Sequence, residues 1–251
     1  MIAQNSSRLE RRRAKIGPAT IAYGVAGIGP PVVLVHGLSG SSRWWRRNIG
    51  ALTPYRRVYV VDLIGFGASR ARQQFALAEA SDYLAGWLDQ LELERVSLVG
   101  HSMGGLIAAE LAADAPDRVD RLVLVDPAAL PLDAHPLTHA LSLLYELRYI
   151  SPSFLPVLLA DALRAGPLTL WRAATALMLA DLRPKLVQIR APTLVIWGEH
   201  DALVPLAFAQ QLVHYLRYEE LVVIKGAGHV PMWDRPQDFN RVLTKFLIGH
   251  T

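Results

Sequence analysis

The sharpest chemical signal in the chain is Gly100-His101-Ser102-Met103-Gly104-Gly105, which follows the apolar run Val96 to Val99 and precedes the helical run Leu106 to Ala113. Strand, tight turn and helix in that order make a nucleophile elbow. The serine sits on a strained turn that pushes its hydroxyl clear of the sheet, and glycines on either side avoid steric clash. Ser102 then stands at a helix N-terminus, where free N–H groups and the helix dipole favour developing negative charge. A hydroxyl is a poor nucleophile near neutral pH, so it needs a base, and the base needs a third group to set its tautomer and orientation.

Among the eight histidines, His229 in Gly226-Ala227-Gly228-His229-Val230-Pro231 lies on a loop between a strand-like run and the last helix, at the sheet edge that also carries Ser102. His135 and His139 fall in a helical insertion, His214 in a helical pattern and His250 at the chain end, so surface or packing roles are expected for them. His101 shares the serine's own turn, which makes it a poor base for it. The acid is expected at the same edge, and the loop Trp197 to Pro205 supplies Asp201, with Pro205 suited to a first helical turn. Asp126 at the end of the preceding strand and Glu199 are the rivals. The chain order serine, acid, histidine favours Asp201.

A tetrahedral intermediate needs two preorganised donors for its oxyanion. The Met103 N–H comes with the elbow. The second is assigned to the Leu38 N–H, in His36-Gly37-Leu38-Ser39-Gly40 after an apolar strand, where Gly37 lets the backbone approach a substrate. A phosphate-cradling loop is the other use of such glycines, but the G-x-x-x-x-G-K-[ST] spacing is absent. With no cysteine in 251 residues, a thiol nucleophile, a disulfide scaffold and a thiolate metal site are excluded.

The elements that position these groups follow from periodicity. Short Val, Ile and Leu runs alternate with longer helical patterns, the signature of an α/β chain with a mostly parallel sheet buried on both faces. Strands are expected at Pro31 to His36, Arg57 to Asp62, Val96 to Gly100, Arg121 to Asp126, Thr193 to Trp197 and Glu220 to Ile224. An edge hairpin is expected from Arg12 to Ile16 and Thr20 to Tyr23. Helices are expected at Phe75 to Leu91, Met103 to Ala115, Pro205 to Leu216 and Pro236 to Ile248. From about Ala128 to Lys185 no strand-like run appears, and nearly sixty residues are too many for one crossover. The expected division is a core of residues 1–127 and 186–251 with a small helical cap of residues 128–185 acting as a lid.

Composition bounds the partners. The formal charge of +4 comes from Arg8, Arg11, Arg12, Arg13 and Lys15 against Glu10, which leaves the rest of the chain neutral. A nucleic-acid binder usually spreads its basic excess over a folded face, so no nucleic-acid partner is expected. No apolar stretch follows the basic start as a secretory signal requires, and none reaches the length of a membrane span. A soluble, cytoplasmic protein is expected.

Taken together, four blocks make the chain resemble the α/β-hydrolase fold superfamily over roughly Ile21 to Leu247. They are His36-Gly37-Leu38, Asp62-Leu63-Ile64-Gly65-Phe66-Gly67-Ala68-Ser69, Gly100 to Gly105, and the Asp201 and His229 loops. The resemblance implies an eight-stranded, mostly parallel sheet flanked by helices, a cap between the sixth and seventh strands, and no cofactor or metal. It also implies that the Asp62 block is a structural loop beside the oxyanion turn. Dehalogenases and epoxide hydrolases of the superfamily use a carboxylate where Ser102 stands, which argues against alkyl-enzyme chemistry. Carbon–carbon bond hydrolases commonly carry Asn before the serine, where this chain has His101.

These readings lead to a serine carboxylic ester hydrolase of the esterase or lipase kind, working through an acyl-enzyme. Apolar residues such as Tyr149, Phe154, Leu158, Leu170 and Met178 crowd the insertion, and Trp44, Trp45, Trp171 and Trp233 are offered as substrate-binding walls, with packing of cap on core as the other use of the same residues. The expected partner is a small hydrophobic ester with a short-to-medium acyl or alcohol group. Carbon–carbon hydrolysis, acyl transfer and a small-molecule receptor with a vestigial triad remain open alternatives on the same residues.

Overall fold

The computed structural model describes residues 9–71, 75–131, 142, 144–146, 148–217 and 219–249. The aliphatic runs form strands because branched and aliphatic side chains suit a pleated surface packed on both sides. The strands are β1 (Glu10–Ile16), β2 (Ala19–Ala26), β3 (Pro31–Val35), β4 (Arg57–Val61), β5 (Arg70–Ala71), β6 (Val96–His101), β7 (Val119–Val125), β8 (Thr193–Gly198) and β9 (Glu219–Ile224). Eight of them run in the order β1-β2-β4-β3-β6-β7-β8-β9, and the two-residue β5 pairs with β2. β2 is antiparallel to both β1 and β4, and every pairing from β4 to β9 is parallel. The expected edge hairpin and eight-stranded sheet are therefore present, with β5 as an addition too short to leave a sequence pattern.

The period of two divides each central strand between two cores. Val33 and Val35 of β3 face one layer and Val32 and Leu34 the other; Leu122 and Leu124 of β7 oppose Val123 and Val125 in the same way. Helices cover both faces: α1 (Ile49–Leu52), α2 (Ala80–Gln90), α3 (Met103–Asp114), α4 (Leu155–Ala165), α5 (Pro167–Met178), α6 (Arg183–Leu186), α7 (Ala207–Val213), α8 (Pro231–Asp234) and α9 (Pro236–Ile248). Nearly every residue of α3 is buried, which its all-round apolar sequence requires. α9 keeps the expected bounds and buries Phe239, Leu243 and Leu247 at intervals of four. Two helices are shorter than their patterns suggest. Ala76 is extended and Leu77–Glu79 form a 3-10 turn before α2, while α7 stops at Val213.

Two features of this topology place the chemistry. β3 has β4 on one side and β6 on the other, so the connections leaving β3 and β6 diverge and open a crevice at the carboxyl ends of these neighbours. β7 and β8 are adjacent, yet the chain between them contains α4, α5 and α6. Phe154, Val157 and Asp161 turn inward from α4 and its N-terminal end, while Leu159 and Leu163 face outward.

Candidate active site

Ser102 occupies the turn between β6 and α3 with φ 51° and ψ −116°, a conformation that costs a non-glycine residue about 1–3 kcal/mol. The turn is this tight because the chain closes on itself: a Cβ on Gly104 would lie 2.5 Å from the His36 carbonyl oxygen, and one on Gly100 would strike the Gly104 carbonyl. Packing of α3 against β3 and β6 thus maintains the strain. The Met103 N–H begins the helix with no hydrogen-bond partner among the described residues, and the Leu38 N–H is equally free. Leu38 precedes Ser39, whose φ of 62° completes a turn closed by the Gly40 N–H donating to the Gly37 carbonyl at 3.1 Å. A Cβ on Gly37 would meet Ser102 Cβ at 3.0 Å, so the two loops touch where the crevice opens.

The His36–Gly40 loop is braced from below. Asp62 accepts the Ser42 N–H at 2.6 Å with one carboxylate oxygen and the Ala68 N–H at 2.7 Å with the other. His36 is fully buried and its pKa is lowered by burial. Its Nδ1–H donates to the Gly37 carbonyl at 2.8 Å and its Nε2 accepts the Leu63 N–H at 3.0 Å. The Asp62 block is thus a structural neighbour of the His36–Gly40 turn. Ser41 Oγ donates to Asp161 Oδ2 at 2.7 Å, and Arg43 Nη2 donates to Asp161 Oδ1 at 2.5 Å, tying α4 to the same loop.

Asp201 and His229 meet directly. His229 Nδ1–H donates to Asp201 Oδ2 at 2.7 Å, and Asp201 Oδ1 accepts the Leu203 and Val204 N–H groups at 2.8 Å each. Burial opposes a charge on His229, but the Asp201 carboxylate outweighs it and the His229 pKa is raised. The His229 backbone is held at both ends: Glu146 Oε1 accepts its N–H at 2.5 Å, and His101 Nε2–H donates to its carbonyl at 2.7 Å. His101 is therefore a brace and not a base, kept neutral by burial and by His229 beside it. Glu146 Oε2 also accepts the Ala202 N–H at 3.0 Å, so one buried carboxylate grips both loops. Burial raises its pKa.

No hydrogen bond joins Ser102 Oγ to His229 among the described residues. The rival acids are accounted for: Glu199 accepts the Gly226 N–H at 2.8 Å, away from the ring, and Asp126 accepts the Gly198 N–H at 2.8 Å. One oxygen each of Asp126 and Asp201 and a ring nitrogen of His229 lie within 4.8 Å of one another, a spacing that a metal ion could use. The Nδ1–H···Oδ2 bond, however, already commits that nitrogen as a donor.

The four tryptophans offered as pocket walls take different positions. Trp45 is fully buried against Phe239 of α9, and Trp233 is fully buried against Phe154 with Arg46 and Arg47 stacked on its ring. Trp171 instead points outward from α5 with 65% of its surface exposed. Only Trp44 approaches the site, packed between the His101 and Phe154 rings. Their proximity in sequence to the loops says nothing about which face each side chain takes. Sequence reading also missed Glu146 and Asp161. The available signal was their isolation: a lone acid in a strongly apolar helical stretch is retained where it has a partner. His135, His139, His250, Leu132 to Leu141 and Arg8 lie outside the described residues.

Among the described residues no helix is long and apolar enough to cross a membrane. The model of the alpha/beta hydrolase family matches residues 32–242. The 2-hydroxy-6-oxo-6-phenylhexa-2,4-dienoate hydrolase of Comamonas testosteroni is 31% identical, covering 90% of this chain and 91% of that protein. The 2-hydroxy-6-oxo-2,4-heptadienoate hydrolase of Pseudomonas putida is 30% identical over 94% of this chain and 98% of its own length. The crystal structure of the enol-lactonase from Burkholderia xenovorans LB400 superposes with a TM-score of 0.81 at 26% identity, covering 94% of this chain and 100% of that one. With its sheet order, its strained serine turn and a match spanning most of its length, the chain belongs to the alpha/beta hydrolase family.

Proposed function

We propose that the protein hydrolyses small, neutral carboxylic esters through a covalent acyl-enzyme on Ser102. The observation that carries this reading is the 2.7 Å bond from His229 Nδ1 to Asp201 at the same sheet edge as the strained Ser102 turn. Because Nδ1 holds its proton for Asp201, Nε2 is the free basic nitrogen. It takes the proton of Ser102 Oγ as the oxygen attacks the ester carbonyl, and Asp201 stays ionised and stabilises the imidazolium. The Leu38 and Met103 N–H groups hold the oxyanion. Collapse of the tetrahedral intermediate expels the alcohol, protonated by His229, and water then releases the acid by the same route. Residues 128–185 serve as the cap over the core of residues 1–127 and 186–251.

A neutral substrate is favoured by the charges nearby. Asp201, Glu146 and Asp234 surround His229, and Arg43 is already neutralised by Asp161. The dienoates named for two of the relatives carry a carboxylate, so hydrolysis of a carbon–carbon bond in such an acid is the second reading, supported by those relatives. The enol-lactonase, whose substrate class is a cyclic ester, supports the first. A panel of p-nitrophenyl esters of increasing chain length beside a 2-hydroxy-6-oxo-dienoate separates them. Ester turnover lost in Ser102→Ala, and a native acid limb above about pH 6.5 that moves down in Asp201→Asn with a kcat loss on the order of 10³-fold, are expected. Ester turnover surviving in Ser102→Ala defeats the proposal.

A further inference from the structure

The two acids that end β7 and the β8 loop are not alternatives in space but neighbours. Asp126 is wholly buried, and its backbone takes the unusual φ of 43°, so the fold spends strain to place this side chain. Its backbone N–H donates to the Ile196 carbonyl at 3.0 Å and its Oδ1 accepts the Gly198 N–H at 2.8 Å, which anchors it to the end of β8. Oδ2 has no hydrogen-bond partner, although it is buried. The carboxylate of Asp201 lies within 4.8 Å.

A buried polar oxygen without a partner is costly, and two ionised carboxylates so close in a dry site repel. One proton relieves both. Asp201 holds its charge against two backbone N–H groups and the His229 ring, whereas Asp126 has a single backbone donor. The proton therefore belongs to Asp126. We propose that Asp126 is a positioning residue whose carboxyl O–H donates to Asp201 and so fixes the carboxylate that orients His229. This rests on the proposed roles of Ser102, His229 and Asp201. Burial, with the charges of Asp201 and Glu146 facing it, pushes the Asp126 pKa well above the ordinary aspartate range, which agrees with the assignment. Gly198, Asp126, Asp201 and His229 then form one chain of hydrogen bonds that holds the Asp201 carboxylate toward His229 Nδ1.

The test compares Asp126→Ala with Asp126→Asn, since the amide retains an N–H for Asp201 and an oxygen for Gly198, and asparagine tolerates the same backbone. With p-nitrophenyl butyrate, Asp126→Ala is expected to lose about 10- to 100-fold in kcat with KM little changed. Its acid limb moves to higher pH because Asp201, no longer sharing charge, binds the imidazolium more strongly. Asparagine is expected to rescue kcat to within about 5-fold and to restore the limb, a recovery that loss of packing alone does not produce. Equal damage from Asp126→Asn and Asp201→Asn, or an alanine variant with native kcat and limb, overturns the proposal. A second readout does not depend on turnover. The native protein at about pH 8, far above ordinary carboxyl pKa values, should show the infrared carbonyl band of a neutral carboxyl group that Asp126→Asn lacks; its absence overturns the proposal even if esters are hydrolysed. Failure of the native enzyme to label at Ser102 with a fluorophosphonate defeats the ester hydrolase reading instead.

Discussion

Replacing Asp161 by alanine tests whether α4 is bolted to the loop that follows β3. The Asp161 side chain is completely buried, Ser41 is 2% exposed, and the Arg43 side chain retains 34% of its surface in water. Removing one partner of a buried ion pair costs about 3–5 kcal/mol because the other charge is stranded. Arg43 can turn part of its guanidinium to solvent, which reduces the cost to about 2–3 kcal/mol. For a chain of this size that corresponds to a fall in melting temperature of roughly 4–12 °C. Asparagine should do little better, since Ser41 and Arg43 both donate and one amide end is itself a donor. Urea unfolding followed by tryptophan fluorescence measures the loss, and a double-mutant cycle with Arg43→Ala isolates the pair, with a coupling above about 1 kcal/mol expected. Ester turnover should fall as well, because the loop that carries the Leu38 N–H loses its anchor. An alanine variant within about 0.5 kcal/mol of native, or strictly additive single and double variants, refutes the reasoning.

Asp234 has a pKa pushed up to about 6 by burial, so its protonated form favours folding. That stability is complete below about pH 4 and is lost as the pH rises through 6; Asp234→Asn should therefore gain on the native protein across this window, by about 2 kcal/mol at neutral pH after allowance for partial exposure, as read by urea unfolding at several pH values. Gly104→Ala should cost at least about 3 kcal/mol, since its Cβ would press on the His36 and Val35 carbonyl oxygens. Gly50→Ala, in α1 with open space around it, should instead add about 0.5 kcal/mol, and the same denaturation assay distinguishes the two.

What could be read in the sequence follows from how local the signal is. The central strands β3, β6, β7 and β8 are buried on both faces and so appear as near-continuous aliphatic runs, and α9 carries its apolar stripe from Phe239 to Leu247 between a proline and a glycine. Ser102 was visible because its glycines and flanking strand and helix lie within a few residues, and His229 because its loop joins two recognisable elements. The choice between Asp126 and Asp201 was not local: both end neighbouring strands, and only the direction of the side chains gives the His229 bond to one of them. Glu146 and Asp161 act on partners 83 and 120 residues away, a separation no local pattern encodes. Trp45 and Trp233 closely follow the Leu38 and His229 loops in sequence yet turn into the layer beneath α9, because packing decides the face.

The grip of Glu146 and Asp161 on the machinery bears on how new specificities arise in this protein. The segment between β7 and β8 would be the natural cassette to exchange with a relative, but here it carries two carboxylates, Glu146 ahead of α4 and Asp161 within it, that complete the scaffold beneath it. A transplant without acids at 146 and 161 would strip the His229 N–H and the Ser41 hydroxyl of their acceptors and yield a folded but slack chimera. A cassette that keeps both acids can vary elsewhere without loosening the loops that carry His229 and Ser41.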